Sequence, residues 1–254
     1  MAINRSPVQG VLNIVRFNWH FYVFAFLFFA LLFFVLDYAP TRYRIWLQVV
    51  FIVAVATTMI SLLVSFYIYD LSALYKLTWL DDVLCDVPAT VVNINAGFDE
   101  TSVLLQRKFP GAELFVFDFY DPAQHTEISI KRARKAYPPF PNTQAVTSAH
   151  LPLGENSIDA VFALLAAHEI RNNSERALFF TELRRVIKPA GQIIVVEHLQ
   201  DVANFLAYNI GFRHFHRHSA WQQTFVTAGL HLQQERKITP FISAFVLKKN
   251  GITA

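Results

Sequence analysis

Two short motifs place a carboxylate beside an imidazole where the chain leaves a predicted strand. "AAHEIR" contains His168 and Glu169, and "VVEHL" contains Glu197 and His198. A carboxylate and an imidazole at such a place can accept a proton from a reacting group, which makes these four residues candidate catalytic bases. The same side chains are also compatible with structural ion pairs to nearby arginines, and the sequence leaves both readings open.

A third motif, "GFRHFHRHSAW", contains alternating histidines. If this segment is extended, His214, His216 and His218 face the same side, and three imidazoles can bind zinc or a related metal. With Arg213 and Arg217 between them, the histidines can instead contact an anionic headgroup or the membrane interface. The spacing by itself assigns no metal, and the three histidines are weak candidate ligands.

The elements that must position these residues follow a regular pattern. From Ala89 onward, short apolar runs alternate with helical patterns, which is typical of βαβ units and a parallel sheet. The predicted strands are Thr90–Asn95, Glu113–Asp118, Thr143–Thr147, Ile158–Leu165, Gln192–His198, Leu230–Ile238 and Phe241–Lys248. The predicted helices are Glu100–Lys108, Ser129–Ala136, Ser174–Ile187, which begins at the cap Ser174 and ends at "KPAG", and Ala220–Ala228. Because about two residues separate the last two strands, they must pair as an antiparallel hairpin. The predicted fold is α/β, with a Rossmann-like seven-stranded sheet.

The first strand is followed by a turn suited to a ligand. In an open α/β sheet, ligands bind outside the carboxyl ends of the strands, and the first strand–helix turn offers backbone N–H groups. That turn is "NINAGFDE", in which Gly97 lets the backbone approach a ligand closely. The second strand, "ELFVFDFYDP", ends at Asp118, about 20 residues further on, where a carboxylate can bind both hydroxyls of a ribose. Asp118 could also simply cap the following turn.

The segment 150–201 resembles a known family. "HLPLGENSIDAVFALLAAHEI", "FFTELRRVIKPAGQ" and "VVEH" are similar to blocks of the class I S-adenosylmethionine-dependent methyltransferases, within the branch that includes quinone C-methyltransferases. The resemblance extends over residues 89–249. It implies S-adenosylmethionine as the cofactor. Asn93, Asn95, Asp99 and Thr147 replace the Asp, Gly, Gly and Asp that are usual in this family.

The resemblance implies roles for particular residues. Asn93, Asn95 and Gly97 would surround the methionine part of the cofactor, and Leu165 would line the same end. Asp118 would bind the ribose, with Phe119 or Tyr120 against the adenine and Thr147 or Ser148 near its amine. Asparagine adopts positive φ more readily than most residues, so Asn95 can partly replace a glycine.

Two apolar runs near the N-terminus predict a membrane anchor. Residues 17–36 and 45–69 contain no Lys, Arg, Asp or Glu. About twenty helical residues span the roughly 30 Å hydrocarbon core of a bilayer. The alternatives are a cleavable signal peptide for the first run, or a pair of buried core helices. Residues 1–69 are thus predicted to be a membrane anchor, 70–88 an amphipathic interfacial helix and linker that lies at the membrane surface or caps the next domain, and 89–254 a methyltransferase-like domain.

Composition agrees with contact with lipid and excludes some other functions. The chain has 254 residues, of which 54% are hydrophobic and only 16% charged, including 25 phenylalanines. A soluble domain has a charged share nearer a quarter. The net charge is only +3 and the basic residues form no stripe, so no nucleic-acid binding is expected. The segment "KRARK" at 131–135 is interpreted as the solvated end of a helix. A single cysteine, Cys85, excludes an internal disulfide.

Together these features predict a membrane-anchored methyltransferase with a lipophilic or membrane-associated acceptor. Its catalytic domain is expected on the cytoplasmic face of the inner membrane, where S-adenosylmethionine is made, and a homo-oligomer is possible. The candidate acceptor-binding residues are Tyr69, Tyr75, Asn204, Tyr208, His214 and His216. The rival hypotheses are an altered, possibly metal-dependent reaction on the same fold, and a non-catalytic membrane module with a degenerate cofactor site.

Overall fold

The N-terminal part of the chain is helical and largely exposed. The structure, a computed structural model, describes residues 5–125 and 127–250. Its first helices are α1 (Gln9–Phe17), α2 (Trp19–Tyr38) and α3 (Thr41–Phe66), and a π-helical turn over Tyr67–Leu71 extends α3. The spans Trp19–Tyr38 and Thr41–Leu71 are long and apolar enough to cross a membrane. Only Leu32 of α2 and Ser65 of α3 are buried, so these are not core helices of the sheet domain.

The rest of the chain forms one seven-stranded sheet with helices around it. The strands are β1 (Thr90–Asn95), β2 (Glu113–Asp118), β3 (Gln144–Ala145), β4 (Ile158–Leu164), β5 (Ile187–His198), β6 (Leu230–Thr239) and β7 (Ile242–Lys249). The helices are α4 (Ser102–Lys108), α5 (Ile128–Ala136), α6 (Asn173–Val186), α7 (Val202–Tyr208) and α8 (His218–Thr227). The strand order is β3-β2-β1-β4-β5-β7-β6. β1 to β5 are parallel, whereas β7 is antiparallel to both β5 and β6.

The predicted fold class is therefore confirmed, including the antiparallel hairpin at the C-terminus. β1 and β2 have the predicted bounds, because each is a short apolar run that the sheet buries. At the carboxyl ends of these strands, Asn95 lies opposite Asp118. The first strand–helix turn and the predicted ribose-binding carboxylate therefore lie side by side.

Two details of α6 and β5 differ from the prediction. The cap of α6 is Asn172, whose side chain accepts from the backbone N–H groups of Ser174 and Glu175, so Ser174 lies inside the helix. "KPAG" does not form a separate turn, because β5 already begins at Ile187. A Cβ on Gly191 would lie 2.8 Å from the Asp159 carbonyl oxygen, so the strand passes too close to β4 for a side chain there.

The segment 69–84 is not the continuous amphipathic helix that its spacing predicts. Leu77 has a φ of 55°, which interrupts the helix, and only a 3-10 turn over Thr78–Asp82 follows. Leu74, Trp79 and Leu80 are buried against one face of the sheet. The segment therefore caps the sheet, one of the two predicted alternatives.

Helix α1 was not predicted, and it contacts both the candidate membrane spans and α5 of the sheet domain. The Asp70 carboxylate accepts from the backbone N–H groups of Gly10 at 2.7 Å and Val11 at 2.8 Å, and so caps the first turn of α1. At the other end of the helix, the Arg132 guanidinium donates to the Phe17 carbonyl oxygen. Two links, one from each side, thus fix α1 over the carboxyl edge of the sheet.

Candidate active site

The turn after β1 has the backbone geometry of a ligand-binding loop. Gly97 has a φ of +94°, which L-residues rarely adopt, and its N–H donates to the Asn95 side-chain oxygen at 2.9 Å. A Cβ at position 97 would lie 3.1 Å from Tyr120 and still closer to Arg134. Glycine is therefore required at this position, whereas Asn95 stabilises the turn through its side chain.

The same turn leaves buried polar atoms without partners. Asn93 Nδ2 donates to Thr101 Oγ1 at 2.9 Å and to Ser102 Oγ at 2.8 Å. Among the described residues, however, Asn93 Oδ1, Asn95 Nδ2 and Asp99 Oδ2 have no hydrogen-bond partner. Unpaired buried polar atoms cost about 1–3 kcal/mol each. Several of them in one cradle, beside a glycine with positive φ, fit a polar ligand such as the amino acid end of S-adenosylmethionine.

Asp118 lies where the resemblance places it, and it is already paired. One carboxylate oxygen accepts from the Tyr120 backbone N–H at 2.9 Å, and the other forms an ion pair with Arg134. The Arg134 guanidinium also lies over the Tyr120 ring, 4.3 Å from its centroid. In this structure Arg134 therefore fills the space between Gly97, Asp118 and Tyr120. The "KRARK" segment is not simply a solvated helix end, as the sequence suggested.

The predicted adenine-binding residues separate into different environments. Phe119 is buried in the core against Phe179, with ring centroids 5.3 Å apart, so it faces away from the loop. Tyr120 is on the loop side, whereas Thr147 is exposed. Ser148 donates to Glu175 Oε1 at 2.6 Å. Of the alternatives proposed from sequence, the structure therefore favours Tyr120 over Phe119.

Residues after β4 and β5 form a second polar group. Leu165, at the end of β4, has a φ of 53°. Shortly after it, His168 Nδ1 lies 2.7 Å from Glu197 Oε2, and the His168 backbone N–H donates to Glu197 Oε1 at 3.1 Å. His168 Nε2 lies 3.3 Å from Glu169 Oε1. Three of the four predicted catalytic residues are therefore in contact, and Glu197 is completely buried.

The carboxylates set the protonation of this group. Burial by itself would lower the pKa of His168, but the Glu197 and Glu169 carboxylates outweigh it and raise the pKa to about 10. Burial raises the pKa of Glu169, but hydrogen bonding to His168 and its charge outweigh this and lower it to about 2. At neutral pH the group is an imidazolium between two carboxylates.

His198, the fourth predicted catalytic residue, lies apart from this group. Glu197 and His198 are consecutive in β5 and point to opposite faces of the sheet. His198 Nε2 is 2.8 Å from the Tyr69 hydroxyl, and Nδ1 is 3.1 Å from Asn204 Oδ1. Burial lowers the pKa of His198 to about 4, so its ring is neutral. Tyr208 lies edge-on to the same ring.

The N-terminal segment contacts the cofactor loop through Glu100. Glu100 Oε1 accepts from Arg5 at 2.9 Å, and from Gln9 and Asn13 at 3.3 Å each. Glu100 Oε2 accepts from the Tyr75 hydroxyl at 3.0 Å. Burial and the Glu100 carboxylate raise the pKa of Tyr75 well above its usual range. Glu100 therefore connects the loop both with α1 and with Tyr75, a role for Tyr75 that sequence reasoning missed.

The alternating histidines do not face one way. His214 contacts Glu127 Oε1 at 2.8 Å, His216 Nε2 lies 3.2 Å from Arg176, and His218 Nε2 lies 2.7 Å from Glu235. The reason is that Asn209–His214 form a 3-10 helix and His218 begins α8, so the segment is not an extended strand. The three histidines, which were only weak candidate ligands from the sequence, therefore do not converge on one point, and of the three His214 joins the His168 group.

Comparisons with known proteins agree with this geometry. Residues 96–195 match the family model of the methyltransferase domain. A search of curated proteins found no significant match. The fold is similar to that of human N-acetylserotonin methyltransferase in complex with SAM, with a TM-score of 0.53 and 15% identity over 77% of this chain and 56% of that chain. Similar structures also come from Aquifex aeolicus (TM-score 0.50, 15% identity, 75% and 97% covered) and Methanosarcina mazei (0.50, 13%, 68% and 97%), both SAM-dependent methyltransferases.

The fold and the family match define the class of protein. The matched segment, 96–195, runs from the Gly97 loop into β5 and includes Asp118, His168 and Glu169. Residues 96–195 are similar to the methyltransferase domain, and together with the fold this match supports a methyltransferase that uses S-adenosylmethionine as its cofactor.

Proposed function

We propose that this enzyme is anchored in a membrane and transfers a methyl group to a lipophilic acceptor that reaches the site from the bilayer. The observation that carries the proposal is the position of α7. This helix packs against α3, one of the two candidate membrane spans. Its side chains Val202, Phe205 and Leu206 are exposed although they are large and apolar. A surface of this kind, beside a membrane span, suits contact with lipid.

The opposite side of α7 faces His198, at the carboxyl end of β5. Asn204 is fully buried and binds both His198 and the Phe241 carbonyl oxygen, while Tyr208 contacts His198. A single short helix therefore has exposed apolar residues on one side and contacts with the carboxyl edge of the sheet on the other. We infer that an apolar acceptor moves along α7 from the membrane toward this edge.

The cofactor residues fit S-adenosylmethionine. Asn93, Asn95 and Gly97 would hold its amino acid end, and Asp118 its ribose, once Arg134 moves aside. When bound, the cofactor supplies an electrophilic methyl group on a sulfonium. Methyl transfer then needs a nucleophile held in line about 3 Å away, and a base if the nucleophile carries a proton.

The His168 group supplies that proton chemistry. Glu169 is an ionised carboxylate beside the His168 imidazolium, so it can accept the acceptor's proton, and His168 can pass a proton on to the buried Glu197. The imidazolium also stabilises negative charge that develops on an acceptor oxygen. Transfer leaves S-adenosylhomocysteine and the methylated acceptor. We place this site on the cytoplasmic side, where the cofactor is made.

The test uses the full-length protein in lipid nanodiscs with methyl-tritiated S-adenosylmethionine and a bacterial lipid extract. We expect label in the organic phase, and none with Asp118→Ala. A second variant, Leu206→Ser, alters only the lipid-facing side of α7. It should slow transfer to lipid-borne acceptors without changing the affinity for S-adenosylhomocysteine. Label confined to water-soluble acceptors would contradict the lipophilic acceptor.

A further inference from the structure

Two imidazoles and one carboxylate converge just beyond the ends of β4 and β5. The donor atoms of His168, Glu169 and His214 all lie within 4.8 Å of one another. Glu169 Oε1 is 3.3 Å from His168 Nε2 and 3.9 Å from His214 Nε2. These three residues come from two distant parts of the chain, so the fold itself brings them together.

Each imidazole is oriented by a further carboxylate through its other ring nitrogen. His168 Nδ1 lies 2.7 Å from Glu197, and His214 Nδ1 lies 2.8 Å from Glu127. On a neutral imidazole, a carboxylate on Nδ1 fixes that nitrogen as the donor and leaves the Nε2 lone pair toward the centre, so a metal ion at Nε2 takes the place of the proton that His168 carries in the metal-free group. This carboxylate–histidine arrangement is the usual second shell of metal-bound histidines. Here it occurs twice, and both Nε2 atoms point toward the same Glu169 oxygen.

We propose that His168, Glu169 and His214 bind a divalent first-row transition-metal ion through two Nε2 atoms and one carboxylate oxygen. Two imidazole ligands favour Zn²⁺, Fe²⁺ or Co²⁺ over Mg²⁺ and Ca²⁺, which prefer oxygen. Three protein ligands leave an open position for a water or an acceptor oxygen, as in catalytic metal sites. The inference concerns metal binding and stands independently of the proposed acceptor.

The distances need only a small adjustment. Tetrahedral donors at about 2.0–2.1 Å from a zinc ion are roughly 3.4 Å apart. The His168–Glu169 separation of 3.3 Å already has this value, and the 3.9 Å to His214 is close to it. His214 is 28% exposed in the 3-10 segment, so its ring has room to move inward.

One neighbouring charge must move away for a cation to enter. The Arg171 guanidinium lies within hydrogen-bond distance of both His214 ring nitrogens, 2.9 Å from Nε2, and donates to the His214 carbonyl oxygen. Its side chain is 44% exposed and already lies 3.8 Å from Glu127, which offers it another partner. Without a metal, a proton on His168 occupies the centre of the group, so the metal ion and that proton are alternatives.

The test is a titration of the metal-stripped, full-length protein in detergent with Zn²⁺ by calorimetry and with Co²⁺ by visible spectroscopy, in the absence of cofactor. We expect one ion per chain and a Co²⁺ d–d spectrum typical of nitrogen and oxygen ligands, with no competition from equal Mg²⁺ or Ca²⁺. Glu127→Gln, on the partly exposed outer carboxylate, should weaken binding about 10- to 100-fold. His214→Gln should weaken it further.

The chain offers a matched control. His218 and Glu235 form the same type of pair at 2.7 Å, four residues beyond His214 but outside the group. Glu235→Gln and His218→Gln should therefore leave the metal affinity unchanged. A wild-type protein that binds no ion, or equal weakening by Glu235→Gln and Glu127→Gln, would overturn the metal site. Binding of S-adenosylhomocysteine, measured on the same samples, is expected to survive in His214→Gln, so failure of this inference and failure of the methyltransferase proposal are distinguishable.

Discussion

The site has two parts: the loop after β1, which would hold the cofactor (the cofactor half), and the group around His168 (the acceptor half). They differ in how many of their buried polar atoms have a hydrogen-bond partner. In the cofactor half, buried atoms of Asn93, Asn95 and Asp99 have no partner among the described residues. In the acceptor half, Glu197 is completely buried and yet both of its oxygens are bonded to His168. Unpaired buried atoms lose the hydration they had in the unfolded chain, so a loop that keeps several of them is built for a ligand. The acceptor half is organised before anything binds.

The largest expected effect comes from a substitution of His168 in the acceptor half. His168→Gln removes the imidazolium between Glu169 and Glu197, and we expect methyl transfer to fall about 100- to 10,000-fold, the usual contribution of acid–base catalysis. Tritium transfer from the cofactor to a lipid extract measures this. Binding of S-adenosylhomocysteine should not change, and His218→Gln, outside the group, should retain full activity. Normal turnover in His168→Gln would mean that the group is only structural.

A second effect concerns His198 and pH. Burial holds the folded pKa of His198 at about 4, against 6.5 as the ordinary value. Between these values the unfolded chain binds more protons than the folded one, so stability is full above pH 6.5 and is lost as the pH falls toward 4. The contribution of His198 to this loss is about 3 kcal/mol, and His216, whose pKa burial also lowers to about 4, contributes separately over the same pH range. Denaturant unfolding in detergent at several pH values measures it.

The control for that prediction is His198→Gln, which keeps a polar side chain between Tyr69 and Asn204 but does not titrate. His168 does not interfere, because its raised pKa makes its contribution constant below pH 6.5 and reduces it only at higher pH. If wild type and His198→Gln lose stability equally between pH 6.5 and 4, the buried neutral histidine is not the cause.

A third prediction concerns the contact between α1 and the cofactor loop. Glu100→Gln removes the charged acceptor shared by Arg5, Gln9 and Asn13, and we expect a loss of about 1–3 kcal/mol in the free energy of unfolding. Limited proteolysis should cut faster within residues 6–17. Glu113→Gln, on an exposed position at the start of β2, is the control. Equal cleavage in both variants would show that Glu100 does not fix α1.

The smallest effect expected is at Arg134. Since Arg134 pairs with Asp118 in this structure, Arg134→Ala should remove a competitor of the ribose and tighten S-adenosylhomocysteine binding by about fivefold, or about 1 kcal/mol. Calorimetric titration measures this, with the exposed Lys131→Ala on the same helix as the control. Weaker binding in Arg134→Ala would show instead that the guanidinium contacts the cofactor.

The strands could be predicted from the sequence because buried positions in a sheet require apolar residues. β1 and β2 each contain a short apolar stretch between turns, and both have the predicted bounds. Segment 69–84 was predicted wrongly, because periodicity cannot detect the positive φ of Leu77.

The remaining contacts in the site depend on the conformation of the loops, which the local sequence pattern does not predict. Arg134 reaches Asp118 only because α5 lies beside the carboxyl end of β2. The side chain of His214 lies apart from those of His216 and His218 because His214 ends a 3-10 helix and the next residue, Phe215, is extended. The unpaired buried atoms of the loop after β1 could not be predicted from the sequence, in which Asn93 and Asp99 are only departures from the family pattern.

The most direct test of the account is calorimetric titration of the detergent-solubilised protein with S-adenosylhomocysteine, in wild type and in Asp118→Ala. We expect micromolar binding in the wild type, with a Kd raised at least tenfold in the variant, because Asp118 would bind the ribose hydroxyls. No binding in a folded wild-type protein would contradict it, and the loop after β1 would then be a degenerate cofactor site.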